Sequence, residues 1–186
     1  MKFPIPVLLG VAYGISEAGL SVLKRSRDDS VDADDSTLRV LWVTIMAAMT
    51  GGIVISHHAL RASFESATAF WSGCALFFLG LVLRWYAILY LGKYFTVNVA
   101  IHSLHEVVDT GPYRRIRHPS YTGALLAFLG VALCLGNWLS LLIIMVPITL
   151  AFAWRMSTEE AALANALGSP YTNYMNRTKR LAPYIY

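Results

Sequence analysis

Charge is scarce in this chain. Only 14% of its 186 residues are Asp, Glu, Lys or Arg, while 56% are hydrophobic and the mean hydropathy is +0.54. Soluble domains carry roughly a quarter charged residues, so an ordinary water-soluble domain is excluded. What remains is a membrane protein whose length suits a single compact domain, residues 1–186. Cysteine is scarcer still: Cys74 and Cys134 are the two present, each inside an apolar run. They exclude a disulfide framework and read as packing residues. The chain also lacks a Gly-rich dinucleotide fingerprint, a phosphate loop and a recognisable Ser/His/Asp set. The acidic stretch at residues 28–35 lacks the central Gly and closing Glu of a calcium loop. His57 and His58 are adjacent and splay apart in any regular structure, so no metal is expected. The net charge of +4 suggests no nucleic acid, because a membrane already explains it.

Long apolar runs are abundant. Five can be drawn, over residues 3–23, 37–55, 67–91, 119–135 and 138–154, each near the ~20 residues that cross a hydrocarbon core. Met1-Lys2 is a thin basic region and Pro4 and Pro6 interrupt early, so the first run does not read as a cleaved signal. Gly136-Asn137 leaves room only for a tight hairpin between the last two runs. Twelve Lys and Arg residues flank the runs on one side and two, Lys2 and Arg61, on the other. The positive-inside rule then places the N-terminus outside and the C-terminus in the cytoplasm. The expected fold is all-α, with about five transmembrane helices: helices 1–3 over residues 1–92 and a second half over residues 93–186.

Two polar clusters interrupt this pattern, and ionisable groups beside lipid mark functional sites by default. The first runs from Leu104 to Gly123 and holds His105, Gly111, Pro112, Tyr113, Arg117, His118, Pro119 and Tyr121. Gly111-Pro112 predicts a turn, and Pro119 suits the first position of a helix. Free N–H groups at that helix end favour an anionic group. A basic loop that merely meets lipid headgroups would carry the same arginines, but it needs neither the histidines nor the tyrosines. The second cluster is Arg155-Met-Ser-Thr-Glu159-Glu160. Arg155 and Glu159 share a helix face and make at least a salt bridge. Glu160 points about a quarter-turn away, toward a different partner. Ser157-x-x-Glu160 fits a capping box, which predicts a new or kinked helix there. Gly168-Ser169-Pro170 stops it, a short aromatic helix follows, and the basic tail from Arg177 to Arg180 is expected at anionic headgroups. Glu17 and Arg84 lie within apolar runs, where they can pair with each other or, for Arg84, snorkel.

The order His105-x-Val-Val-x-x-Gly111-Pro-Tyr113-x-x-x-Arg117-His118-Pro119-x-Tyr121-x-Gly123, then Arg155-x-x-x-Glu159-Glu160, then Gly168-x-x-Tyr171-x-x-Tyr174 and Arg180-Leu-x-Pro183, resembles the isoprenylcysteine carboxyl methyltransferase family. Phospholipid methyltransferases share part of it. The resemblance implies an S-adenosylmethionine-dependent methyltransferase without a Rossmann fold. Its cofactor pocket would lie on the cytoplasmic side, between the loop before helix 4 and the C-terminal helix. By position it assigns His105, Gly111, Tyr113, Arg117, His118, Pro119, Tyr121 and Glu160 to the cofactor, and Arg155 and Glu159 to catalysis. The implied acceptor is a prenylcysteine-like carboxylate reached from the bilayer, which needs a cation to hold it. A phospholipid amine, needing a base, or another lipophilic or thiol acceptor is the alternative. A membrane reductase and a non-enzymatic membrane protein stand further off.

Overall fold

The computed structural model describes residues 4–23, 35–64, 66–92 and 107–183, and among them the regular elements are all helical. They are α1 (Pro4–Leu23), α2 (Asp35–His58), α3 (Ala67–Leu91), α4 (Pro119–Leu135), α5 (Trp138–Leu167) and α6 (Ser169–Arg177), with short 3-10 turns at Leu60–Ala62 and Gly111–Arg114. The five apolar runs thus become five helices. Among the described residues, three spans are long and apolar enough to cross a membrane: Thr37–His58, Ala67–Leu91 and Trp138–Leu167. The apolar stretches of α1 and α4 are shorter. The outer faces of α1, α3 and α5 are apolar: Leu8, Ile15, Trp71, Leu79, Val82, Leu142 and Leu150 are among the exposed side chains, an exterior that suits hydrocarbon.

Between helices in lipid, close packing and a few polar ties replace the hydrophobic drive. The α3–α4 contact shows this most directly. Gly73 faces Gly130 and Gly80 faces Gly123, so the two helices run antiparallel with matched glycines seven residues apart on each. A Cβ on Gly80 would sit 2.4 Å from the Gly123 carbonyl oxygen, and one on Gly130 would sit 2.5 Å from the Gly73 oxygen. The backbones therefore touch. Cys74 and Cys134 meet beside this seam as free thiols, Sγ to Sγ 3.7 Å. Helix α2 lies along α5, where Ser140 Oγ donates to the Gly52 carbonyl at 2.7 Å. Phe77, Phe128, Phe152, Ile144 and Ile148 fill the centre.

The α4–α5 hairpin turns as its sequence requires. Gly136 adopts φ 61°, a left-handed conformation that favours glycine, and Asn137 caps α5 by accepting from Ser140 N at 3.1 Å. Asn137 Nδ2 also donates to the Ala59 carbonyl at 2.8 Å, which fastens this end of the bundle. No new helix starts at Ser157: α5 continues to Leu167. Ser157 Oγ and Thr158 Oγ1 bond back to the carbonyls of Ala153 and Trp154, so neither acts as a cap.

Candidate functional site

Helix α5 carries Arg155, Met156, Glu159 and Glu160 beyond the bundle centre, at the end opposite Asn137. The segment after the 3-10 turn lies against it. Gly111 starts that turn at φ 55°, and a Cβ there would strike the Tyr90 ring at 2.4 Å. Two constraints thus demand glycine at one position. Tyr113 is buried beneath the turn. Its hydroxyl donates to the Ala87 carbonyl at 3.2 Å, and its own carbonyl accepts from Tyr174 at 2.7 Å. Burial pushes the Tyr113, Tyr171 and Tyr174 hydroxyls up from their ordinary range.

The C-terminal segment closes the site. Arg117 N and His118 N donate to the carbonyls of Lys179 and Arg180 at 2.7 and 3.0 Å, and Lys179 N donates back to Arg115 at 3.1 Å. Thr122 Oγ1 adds a bond to the Leu181 carbonyl at 2.8 Å. The Arg117 side chain reaches the carbonyls at the C-terminal end of α6, Met175 at 3.0 Å and the capping Thr178 at 2.5 Å, the usual place for a cation on a helix. Both oxygens of Glu160 are taken by protein donors. Oε1 accepts from Arg117 Nε at 2.7 Å and lies 3.1 Å from His118 Nε2, while Oε2 accepts from Arg180 Nε at 2.9 Å. Since a carboxylate only accepts, this contact puts the imidazole proton on Nε2. The tail is therefore not spread uniformly at headgroups. Arg180 folds back onto Glu160, while Arg177 pairs with Asp109.

Beside this clamp lies a second group. Tyr121 donates its hydroxyl to Glu159 Oε1 and accepts from Arg155 Nε at 3.0 Å. Arg155 Nε is also 3.2 Å from Glu159 Oε1, and its Nη1 donates to Thr37 Oγ1 on α2 at 3.2 Å. Arg155 is only 2% exposed. The His118 ring stacks on Tyr121, with centroids 5.4 Å apart and planes within 6°. His118 Nδ1 and Glu159 Oε2 face each other at 3.7 Å, beyond direct hydrogen-bond reach.

Most sequence-predicted residues thus converge: Arg117, His118 and Glu160 form one hydrogen-bonded group and Tyr121, Arg155 and Glu159 another, the two joined by the His118–Tyr121 stack, with Pro119 buried at the first position of α4. Gly111 and Tyr113 lie in the adjoining turn. His105 lies outside the described residues. The free N–H groups expected at the start of α4 are largely committed, since Tyr121 N and Thr122 N both bond to the His118 carbonyl and Pro119 has none. Sequence reasoning missed Thr37, which opens an apolar run with nothing to mark it, and Thr178. The Arg180-Leu-x-Pro183 motif was the available signal for Arg180.

A phospholipid methyltransferase family profile matches residues 68–169. Over 115 residues the chain is 32% identical to protein-S-isoprenylcysteine O-methyltransferase B of Arabidopsis thaliana, covering 61% of this chain and 58% of that one. It is 35% identical over 109 residues to the protein-S-isoprenylcysteine O-methyltransferase of Schizosaccharomyces pombe, covering 58% and 46%. The chain spans about half the length of these curated relatives. Among solved structures it resembles the eukaryotic intramembrane Ras methyltransferase ICMT (isoprenylcysteine carboxyl methyltransferase). That likeness has a TM-score of 0.63 at 26% identity, over 82% of this chain and 54% of the other. The profile takes in α3 to α5 and with them the Arg117–Glu160 and Tyr121–Arg155–Glu159 contacts, but stops short of Glu17, Thr37 and Arg180. With apolar helices long enough to span a bilayer and a profile match over more than half its length, the chain is an integral membrane protein and belongs to the phospholipid methyltransferase family.

Proposed function

We propose that this protein transfers a methyl group from S-adenosylmethionine to the carboxylate of a lipophilic, prenylcysteine-like acceptor. The observation that carries this reading is the buried Arg155 guanidinium, held by Tyr121, Glu159 and Thr37 at the polar end of an apolar bundle. An acceptor carboxylate is already ionised at neutral pH. It needs a fixed cation to orient it, and a planar guanidinium suits that role. Positioning then supplies much of the rate.

The residues present fit the sulfonium cofactor. His118 Nδ1 and Glu159 Oε2 lie 3.7 Å apart, and a carboxylate oxygen is the kind of acceptor that a ribose hydroxyl or an ammonium group requires. When bound, S-adenosylmethionine supplies an electrophilic methyl group. In this reading His118, Tyr121 and Glu159 line the cofactor side, with Glu159 also orienting Arg155. Gly111, Tyr113, Arg117 and Pro119 shape the wall. Glu160, saturated by its three partners, positions that wall. The whole chain acts as one domain, with its five apolar helices in the membrane. The charge asymmetry assigns the site and C-terminus to the cytoplasm and the N-terminus to the far side.

Methylation of a phospholipid amine would need a base. Glu159 Oε1 already lies within bonding distance of two donors, which favours the carboxylate acceptor. The test is methyl transfer by purified protein in nanodiscs, offering farnesylcysteine or phosphatidylethanolamine. Ester formation on the former is expected. Arg155→Ala should lose it while still binding S-adenosylhomocysteine, and wild-type turnover in that variant would refute the assignment.

A further inference from the structure

Glu17 on α1 and Arg84 on α3 form an ion pair inside the bundle, 5% and 8% exposed. The pairing is fork to fork: Arg84 Nε donates to Glu17 Oε1 at 2.5 Å and Nη2 to Oε2 at 2.6 Å. Arg84 does not snorkel. Desolvating two charges in such a place is costly, and an apolar pair of similar volume commonly stabilises a protein as well or better. Stability alone therefore does not explain the pair.

Its third donor points to another role. Arg84 Nη1 donates to the Ser120 carbonyl at 3.3 Å. Ser120 lies in the first turn of α4, between His118 and Tyr121. That turn is seated directly on Arg84: a Cβ on Gly123 would lie 2.6 Å from Arg84 N. The same turn aims His118 at Glu160 and Tyr121 at both Arg155 and Glu159. Any shift of the turn moves these contacts together. Trp85 Nε1 adds a neighbouring bond to Ser16 Oγ at 2.7 Å, so α1 is tied to α3 at two successive positions. Glu17 and Ser16 lie outside the family match at residues 68–169.

We propose that the Glu17–Arg84 pair is a positioning device for methyl transfer, by which α1 sets the first turn of α4 and so the orientation of His118 and Tyr121. This rests on the function proposed above. Arg84 and Glu17 touch neither cofactor nor acceptor in this reading. They act through Ser120.

The test uses full-length Glu17→Leu/Arg84→Leu, which removes both charges together, with Arg84→Lys alongside. Hydrogen exchange by mass spectrometry and steady-state methyl transfer are measured on each. The double variant should keep its helical content and melting temperature, yet exchange faster at residues 118–124 than the rest of α4. Its kcat should fall about tenfold or more, with acceptor KM within about twofold. Arg84→Lys should recover part of kcat. Unchanged exchange at residues 118–124, or wild-type kcat in the folded double variant, would overturn the proposal. If the unsubstituted protein transfers no methyl group, the proposed function fails, and the exchange data still decide whether the pair holds the turn.

Discussion

Glu160 shows how one carboxylate can tie separate segments of a chain together. Its donors come from two other segments, Arg117 and His118 before α4 and Arg180 after α6. Glu160→Ala would leave these groups clustered without their counter-charge. The expected cost is about 3–5 kcal/mol, read as a large fall in melting temperature in detergent. Glu160→Gln should cost less, since its amide oxygen can still accept. The exposed Arg177–Asp109 pair belongs to another class, and Asp109→Asn should change stability by less than about 1 kcal/mol. At this scale the sequence was only partly legible. Arg155 and Glu159 announced their contact by helical spacing, whereas Glu160 gave a direction without a partner. Its partners lie 43, 42 and 20 residues away, a pairing that local periodicity does not encode. Thr37 was invisible because a threonine at the start of an apolar run is unremarkable until Arg155 is seen beside it.

Among the helices, the glycine seam of α3 and α4 makes the sharpest contrast. Gly80→Ala and Gly123→Ala drive a methyl into backbone at 2.4 and 2.5 Å, which side-chain rotation cannot relieve. Each should destabilise the protein by about 1–3 kcal/mol and loosen the first turn of α4. Gly14→Ala and Gly19→Ala place the same methyl on α1 where nothing lies within 4 Å. They should be neutral or stabilising by up to about 1 kcal/mol. Thermal unfolding of the four variants decides this. The apolar runs announced the helices, because length and hydropathy are local properties: α3 and α4 begin and end where their runs do. The extent of α5 was not legible. A polar run such as Ser157-Thr158-Glu159-Glu160 reads as a boundary, yet the helix continues through it, held by the partners of Glu159 and Glu160.

Taken whole, the bundle has two unlike ends. At one, Asn137, Ala59, Phe64 and Gly136 are knotted by backbone and amide bonds. At the other, polar and ionisable side chains converge from α2, α4, α5 and the segment after α6. Truncation after Leu167 removes α6, Thr178 and Arg180 and strips Glu160 of one guanidinium. The five apolar helices should persist by circular dichroism, while binding of S-adenosylhomocysteine by calorimetry should be lost. Retained binding would show that the C-terminal segment is dispensable to the site. Composition and hydropathy revealed the membrane character, and the order of motifs from His105 to Pro183 carried the likeness to a family. The contributions of α1 and α2 needed coordinates, because a single Glu or Thr in an apolar helix carries no spacing pattern.

The bond from Thr122 to the Leu181 carbonyl spans 59 residues, and this has a consequence for timing. During synthesis the loop that presents Arg117 and His118 leaves the ribosome well before the segment that braces it. The helices can enter the bilayer in order, but the polar end stays unfinished until Thr178 to Leu181 arrive. A nascent chain arrested before that point would sit in the membrane with Arg117 and Glu160 already able to meet, yet without the clasp. Competence for ligand would therefore appear late and abruptly, as the last strap is drawn across, rather than growing helix by helix.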